Sequence, residues 1–443
     1  MKNLISFLFL SFFYLSYSSS HEKVIKPMDF SSAIHQTKQE LILNGIYEAI
    51  LKVSEKELIK EEKEKPKSSL NEGRRGTMIV EEMMRKNRER LAAQSGLDPN
   101  QAKSGKDIVN FQKKDNKNMI QEMDRQVKKA KDWKELAQSE IDMIRASVMQ
   151  KWKEKNQKVL QDWKQQKILY KNNVNKYGKT TFDIPLVLPV NEADLKKSLK
   201  KKVSKESFVV ANSMGMKVKN QKFRATCASF SGLRSLEILL GQNQYDLDLS
   251  EQYFYWASKS DCQNKKCSSR GSWVGHGLKF SQNASKHDIP LEEDCPYNPF
   301  SAGQNETQIP LKNSCDQGKV KIGHYNYHKT LDELIEALHQ NTPVVIGTYL
   351  TPNFYDADSL ILERNKNEGR KKMDSHSKGH SLLVVGYVKL PQVLNEGNLC
   401  LIVTNSWGEG WGFGGYSCLS EKWFLEQRQA NPFVSIDLVS YRK

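Results

Sequence analysis

The chain has 443 residues, 38% hydrophobic and 27% charged, with a net charge of +16. That length supports two or three structural units, and no segment beyond the first twenty residues is apolar enough to span a bilayer. The first 200 residues hold most of the excess charge (39 Lys and Arg against 27 Asp and Glu, hence +12 of the +16), whereas all seven cysteines follow residue 200.

In chain order, MKNLISFLFLSFFYLSYSSS reads as a secretory signal over residues 1–20: Lys2, a short apolar run from Ile5 to Leu15, then small residues at Ser18–Ser20. Residues 31–60 place Ile34, Leu41, Ile42, Ile46, Ile50, Val53 and Leu58 at helical spacing, and EEKEKPKSS after them reads as a linker. LDPNQAKSGKD is a second break. From about 112 to 172 there is neither Pro nor Gly. There Ile120, Met123, Val127, Ala130, Ala137, Ile141, Ile144, Val148, Trp152, Val159 and Trp163 fall on one helix face. Such a helix can bind nucleic acid or anionic lipid, pair as a coiled coil, or dock on the domain that follows. Glu and Asp alternate with Lys throughout, so no clean basic face forms, which argues against nucleic acid and membrane and for docking.

From about 180 the pattern changes. TTFDIPLVLPV is extended, CASFSGLRSLEILL (227–240) is a buried helix, and VVIGTYL (344–350), SLLVVGYV (381–388) and LCLIVTNSW (399–407) are strands. An α+β domain is expected over 181–443, preceded by a charged helical region over 21–180. In an oxidising compartment, seven cysteines are most economically one reactive thiol and three bridges. Cys400 and Cys418 flank a turn-rich segment on neighbouring strand-like runs and are a geometrically sensible pair; the remaining connectivity stays open.

Cys227 stands just before a strong helical pattern, where the helix dipole favours thiolate. Position alone still favours a buried structural cysteine. The surroundings say more. NQKFRATCASF, LSEQ (249–252), GHSLLVVGY (379–387) and TNSWGEGWGFGGY (404–416) occur in that order, and together they resemble the active-site segments of the papain and cathepsin family over roughly residues 215–420. The resemblance implies a papain-like α+β fold of two lobes, one helical and one β-barrel-like. It implies Cys227 as nucleophile, His380 as its base, Asn405 as the amide that orients the base, and Gln221 as a side-chain donor to the oxyanion. His376 is the weaker candidate for the base, because no strand follows it. Trp407 would shield the His–Asn hydrogen bond, and with Gly271, Ser272 and Ser381 it would line the substrate groove. Peptide or protein substrates are implied, no cofactor or metal is needed, and the N-terminal helical region is expected to dock as a prosegment. The sequence carries no signal for oligomeric state.

The chain also departs from the family. Arg224 stands where a disulfide cysteine is usual, which leaves Cys267 to find another partner, such as Cys315. Ala225 replaces a glycine, Ala228 replaces the tryptophan after the nucleophile, and the Gly-Gly groove wall is reduced to Ser269-Arg270-Gly271-Ser272. Two rivals share the motifs: a transamidase with the same acyl chemistry, and a non-catalytic papain-fold binding protein with a basic helical module.

Overall fold

Leu41, Ile42, Ile46 and Ile50 recur at helical spacing, and all four are at most 2% exposed. They lie on α1 (Phe30–Glu64), one of the helices in a computed structural model that describes residues 30–64, 157–177, 190–199, 203–259, 270–283, 288–300, 315–316, 318–369 and 379–442. The signal-like leader, the apolar stripe from Ile120 to Trp152, the extended stretch before Val190, Cys262, Cys267 and His376 lie outside these residues. The helix runs four residues into the stretch expected to be linker. Glu and Lys are good helix formers, and the first breaker, Pro66, comes only two residues after its end. The second helix, α2 (Gln157–Tyr177), ends directly before Gly178.

The chain divides into two compact units, Met1–Ile34 with Leu58–Gln161, and His35–Glu57 with Asp162–Lys443. Only short helical stretches of the first unit are described, and every element from residue 190 onward belongs to the second. After α3 (Glu192–Leu195) and β1 (Ser207–Val209) come three helices: α4 (Cys227–Gln242), α5 (Glu251–Ala257) and α6 (Val274–Asn283). The rest is mainly sheet. In order it comprises β2 (Val320–His328), α7 (Leu331–His339), β3 (Val344–Tyr349), α8 (Pro352–Tyr355), β4 (Leu360–Ile361), β5 (Gly379–Lys389), β6 (Leu399–Thr404), β7 (Tyr416–Ser420), α9 (Glu421–Gln427) and β8 (Phe433–Tyr441). A helical part beside a β-rich part is the expected α+β arrangement.

The sheet runs β2-β8-β3-β5-β6-β7-β4, with β1 added to the far end of β5. All pairs are antiparallel except β4 with β7. All but the last residue of β5 are buried. Covered on both faces, such a strand reads as a continuous apolar run rather than an alternation, and LLVVGYV is one. Helix α4 packs on β5 and is buried from Cys227 to Leu240, so the start of the helix and the start of the strand are brought to one place.

Two disulfides are described. Cys400–Cys418 joins β6 to β7, as expected from the flanking strands. Cys315 bonds Cys295, with their Cα atoms 4.9 Å apart, so the expected Cys267–Cys315 pairing is corrected. The turn after Leu291, closed by the Cys295 N–H on the Leu291 carbonyl, carries Cys295 within bonding range of Cys315.

Removing Cys400–Cys418 by serine at both positions is expected to lower unfolding stability by about 3 kcal/mol, the scale for closing a loop of this size. Urea denaturation checks it, and an unshifted midpoint contradicts it.

Candidate active site

Residues 219–221 lie antiparallel to 406–408. The Gln221 N–H donates to the Ser406 carbonyl (2.8 Å), the Gly408 N–H donates to that of Lys219 (3.0 Å), and Asn220 faces Trp407. Gly408 sits at φ 76°, where a side chain would be strained and would crowd Asn220. This short ladder sets the loop before Cys227 against the loop that begins with Asn405.

Lys219 anchors one end of the first loop. Its ammonium meets the carboxylates of Glu237 (2.7 Å), Glu251 (2.7 Å) and Asp248 (2.5 Å). Burial opposes its charge, but the three carboxylates win and raise its pKa above the ordinary lysine value.

Cys227 is the first residue of α4, free and 2% exposed. Thr226, at the N-cap, makes no side-chain cap, because its hydroxyl is bonded to the Tyr297 hydroxyl (2.8 Å). The N–H groups of Cys227 and Ala228 act on the sulfur, whereas that of Ser229 is bonded to the Thr226 carbonyl (2.9 Å). Burial pushes the thiol up to about 11, while N–H groups of Ser381, Ala228 and Cys227 itself pull the other way.

His380, opposite Thr348 in the β3–β5 register, is fully buried. Its Nε2–H donates to Asn405 Oδ1 (2.7 Å), which also accepts the Ser406 N–H (2.7 Å). With Nε2 carrying the proton, Nδ1 holds a lone pair, and it has no hydrogen-bond partner among the described residues. Burial depresses the imidazole pKa to about 4, against the opposing effect of Asn405. The Trp407 ring lies 4.7 Å from the imidazole and shields the His–Asn bond. One residue on, Ser381 shares a hydrogen bond with Ser231 of α4 (2.6 Å), tying the histidine strand to the nucleophile's helix.

Gln221 is also fully buried. Its Oε1 accepts from the Ser406 hydroxyl, and its Nε2 donates one N–H to the Arg224 carbonyl (2.7 Å). A primary amide has two such hydrogens, so one remains for an oxyanion.

An apolar pocket next to the start of α4 is lined by Ala228, Trp273, Val274, Gly347, Ser381 and Asn431, among others. Ser381 thus lies on its wall. Gly271 and Ser272 do not line it but lead into Trp273, which does; Gly271, at φ 84°, offers its carbonyl to Lys259 (3.0 Å). Sequence reasoning missed Asn431 and Tyr297. Neither carries a local pattern, and each enters only through pairing with distant residues.

The sequence matches the papain family cysteine proteases over residues 205–429, about half of the chain. It belongs to that family. It is 25% identical over 211 residues to a cysteine protease of Blomia tropicalis, covering 45% of this chain and 56% of that one. It is 27% identical over 203 residues to fruit bromelain of Ananas comosus, covering 45% and 50%. The chain thus spans about half the length of these relatives. Xylellain, a cysteine protease of Xylella fastidiosa, superposes on 58% of this chain and 92% of its own with 15% identity and a TM-score of 0.42.

With the thiol up and the imidazole down, Cys227 and His380 are both neutral at pH 7. Iodoacetamide alkylation of Cys227 is therefore expected to accelerate as pH rises and to level off only near pH 11; a plateau already reached at pH 6 contradicts this. Because the folded His380 pKa lies below its unfolded value, the unfolded chain takes up that proton first. Stability is then lost as pH falls from about 6.5 to about 4, and His380→Gln should flatten that part of the decline.

Proposed function

We propose that the protein is an exported cysteine endopeptidase held latent by its N-terminal helices. The carrying observation is the Nε2–Asn405 bond of His380, beside a helix that begins at Cys227 and a Gln221 amide with one N–H to spare. In the working form, His380 takes the Cys227 proton and the thiolate attacks a peptide carbonyl. The carbonyl oxygen becomes an oxyanion met by the Cys227 backbone N–H and Gln221 Nε2. His380 gives its proton to the leaving amine as the C–N bond breaks, leaving a thioester on Cys227. Water, deprotonated by His380, then hydrolyses the thioester, and the proton returns to the sulfur. The pocket at Ala228, Trp273 and Ser381 would receive a substrate side chain.

Latency is supported by what α1 and α2 touch. Tyr170 stacks on Trp407 at 6.0 Å and bonds the Tyr355 carbonyl. Trp163, 6% exposed, packs edge-on to Phe413 and against Gly414. Lys38 of α1 and Gln166 of α2 both reach the Glu409 carboxylate. Both helices therefore sit on the loop that carries Asn405 and Trp407, and they contribute to the dryness that keeps the pair neutral. Further along, the Val190 N–H bonds the Ala430 carbonyl, next to the pocket residue Asn431. Two disulfides and the signal-like leader support export.

Cys227→Ser is expected to abolish turnover and labelling by an epoxide thiol probe while leaving folding intact, and His380→Ala to cost a similar amount. Gln221→Ala should cost ~10²–10³ in kcat, with Asn405→Ala milder than His380→Ala. Probe labelling that survives Cys227→Ser sinks the reading.

Trp163→Asp should raise the activity of the uncut chain roughly tenfold or more, since burying one large apolar side chain contributes about 1.5–3 kcal/mol. Unchanged activity of uncut Trp163→Asp counts against latency, though not against the peptidase.

A further inference from the structure

Arg224 occupies the place where the family resemblance puts a disulfide cysteine, yet it is 3% exposed, a costly position for a charge unless it is fully engaged. One guanidinium nitrogen, Nη1, donates to Gln252 Oε1 (2.7 Å) and to the Asn298 carbonyl (2.7 Å). The guanidinium carbon lies 5.2 Å from the Tyr255 ring centre and 5.6 Å from that of Tyr297, so the cation contacts two aromatic rings. Gln252 Oε1 also accepts the Asn298 N–H (3.2 Å), and the Tyr297 N–H bonds Glu292 (2.7 Å). The loop at 292–298, stapled by Cys295–Cys315, is thereby locked to α5 and to Arg224.

Tyr297 completes the arrangement. Its hydroxyl donates to the Gln221 carbonyl (2.8 Å) and accepts from Thr226 Oγ1 (2.8 Å), so one oxygen spans both ends of the loop leading into the nucleophile. Between those ends, the Arg224 carbonyl holds one N–H of Gln221 Nε2.

We infer that Arg224 and Tyr297 are positioning residues for the oxyanion hole. Arg224 replaces a covalent crosslink with one made of hydrogen bonds and ring contacts, and its carbonyl aims the spare N–H of Gln221. Tyr297 keeps the Gln221 backbone and the N-cap threonine in register. The LSEQ segment serves both ends of this loop, Glu251 through Lys219 and Gln252 through Arg224. The inference rests on the reading of Gln221 as the oxyanion donor.

The test uses Arg224→Met, Arg224→Lys and Tyr297→Phe in the full-length chain carrying Trp163→Asp to relieve latency, each alone and combined with Gln221→Ala. If the clamp acts through Gln221, each single change lowers kcat by roughly tenfold, a fraction of what losing the donor itself costs, with KM and Cys227 alkylation unchanged. On top of Gln221→Ala each then costs less than about twofold, the mark of residues acting through one group. Losses that multiply in full in that background overturn the inference.

A second readout does not depend on turnover. The ¹⁵N side-chain amide signal of Gln221, identified by its disappearance in Gln221→Ala, should exchange slowly with solvent in the parent chain. In Arg224→Met and Tyr297→Phe, each checked for retained thermal midpoint, it should shift and lose protection. An unmoved, still protected signal overturns the clamp. If the chain relieved of latency by Trp163→Asp hydrolyses no peptide and takes no thiol probe, the peptidase reading fails, and the amide signal alone decides the clamp.

Discussion

The pairing of residues 219–221 with 406–408 is the contact on which the site depends. It consists of two backbone hydrogen bonds and the Ser406–Gln221 side-chain bond, yet it joins the helical part of the unit to the sheet. Without it, α4 could present Cys227 and β5 could present His380, but the Gln221 amide would not be held on the loop that carries Asn405 and Ser406. The partners that hold each strand of the pairing are themselves buried: Glu237 and Glu251 under Lys219, and Trp411 with its indole N–H on the Phe354 carbonyl under the second loop. A backbone ladder this short has little strength of its own, since each hydrogen bond contributes only about 0.5–1.5 kcal/mol net. Its rigidity is borrowed from the cores on either side.

Burial governs the electrostatics around this pairing. Dehydration penalises thiolate and imidazolium alike, so in the uncut chain the neutral forms win at both Cys227 and His380. The same dryness strengthens the His380–Asn405 bond and any donor aimed at a developing negative charge. Water at the site would bring the two pKa values toward each other, and α1 and α2 rest on the loop that adjoins it.

Much of this was legible where a residue type answers a local backbone demand. Gly408, Gly412, Gly414 and Gly415 all adopt positive φ, so the glycine-rich run after Asn405 announces a tight, unusual turn on its own. Buried strands such as LLVVGYV and the helix after Cys227 are equally visible as apolar runs, and Cys400 with Cys418 follows from strands joined by that turn. The role of Arg224 was not legible. A lone arginine near a nucleophile has no pattern, and its meaning appears only when Tyr255, Gln252 and Tyr297 converge on it from segments about 30 and 70 residues away. Cys315 was misassigned for a related reason: the turn at Leu291–Cys295 that brings its true partner close has no distinctive spacing. The end of α1 was placed early because a charged Glu/Lys run suits a linker and a helix equally well.

The Cys400–Cys418 bond closes a loop whose members are Asn405, Ser406, Trp407 and Glu409. On that one loop lie the amide that steadies His380, the hydroxyl that steadies Gln221, the indole over the imidazole, and the carboxylate gripped by Lys38 and Gln166. Reducing the bond would free, in one event, the groups that hold His380 and Gln221 and the carboxylate on which α1 and α2 rest.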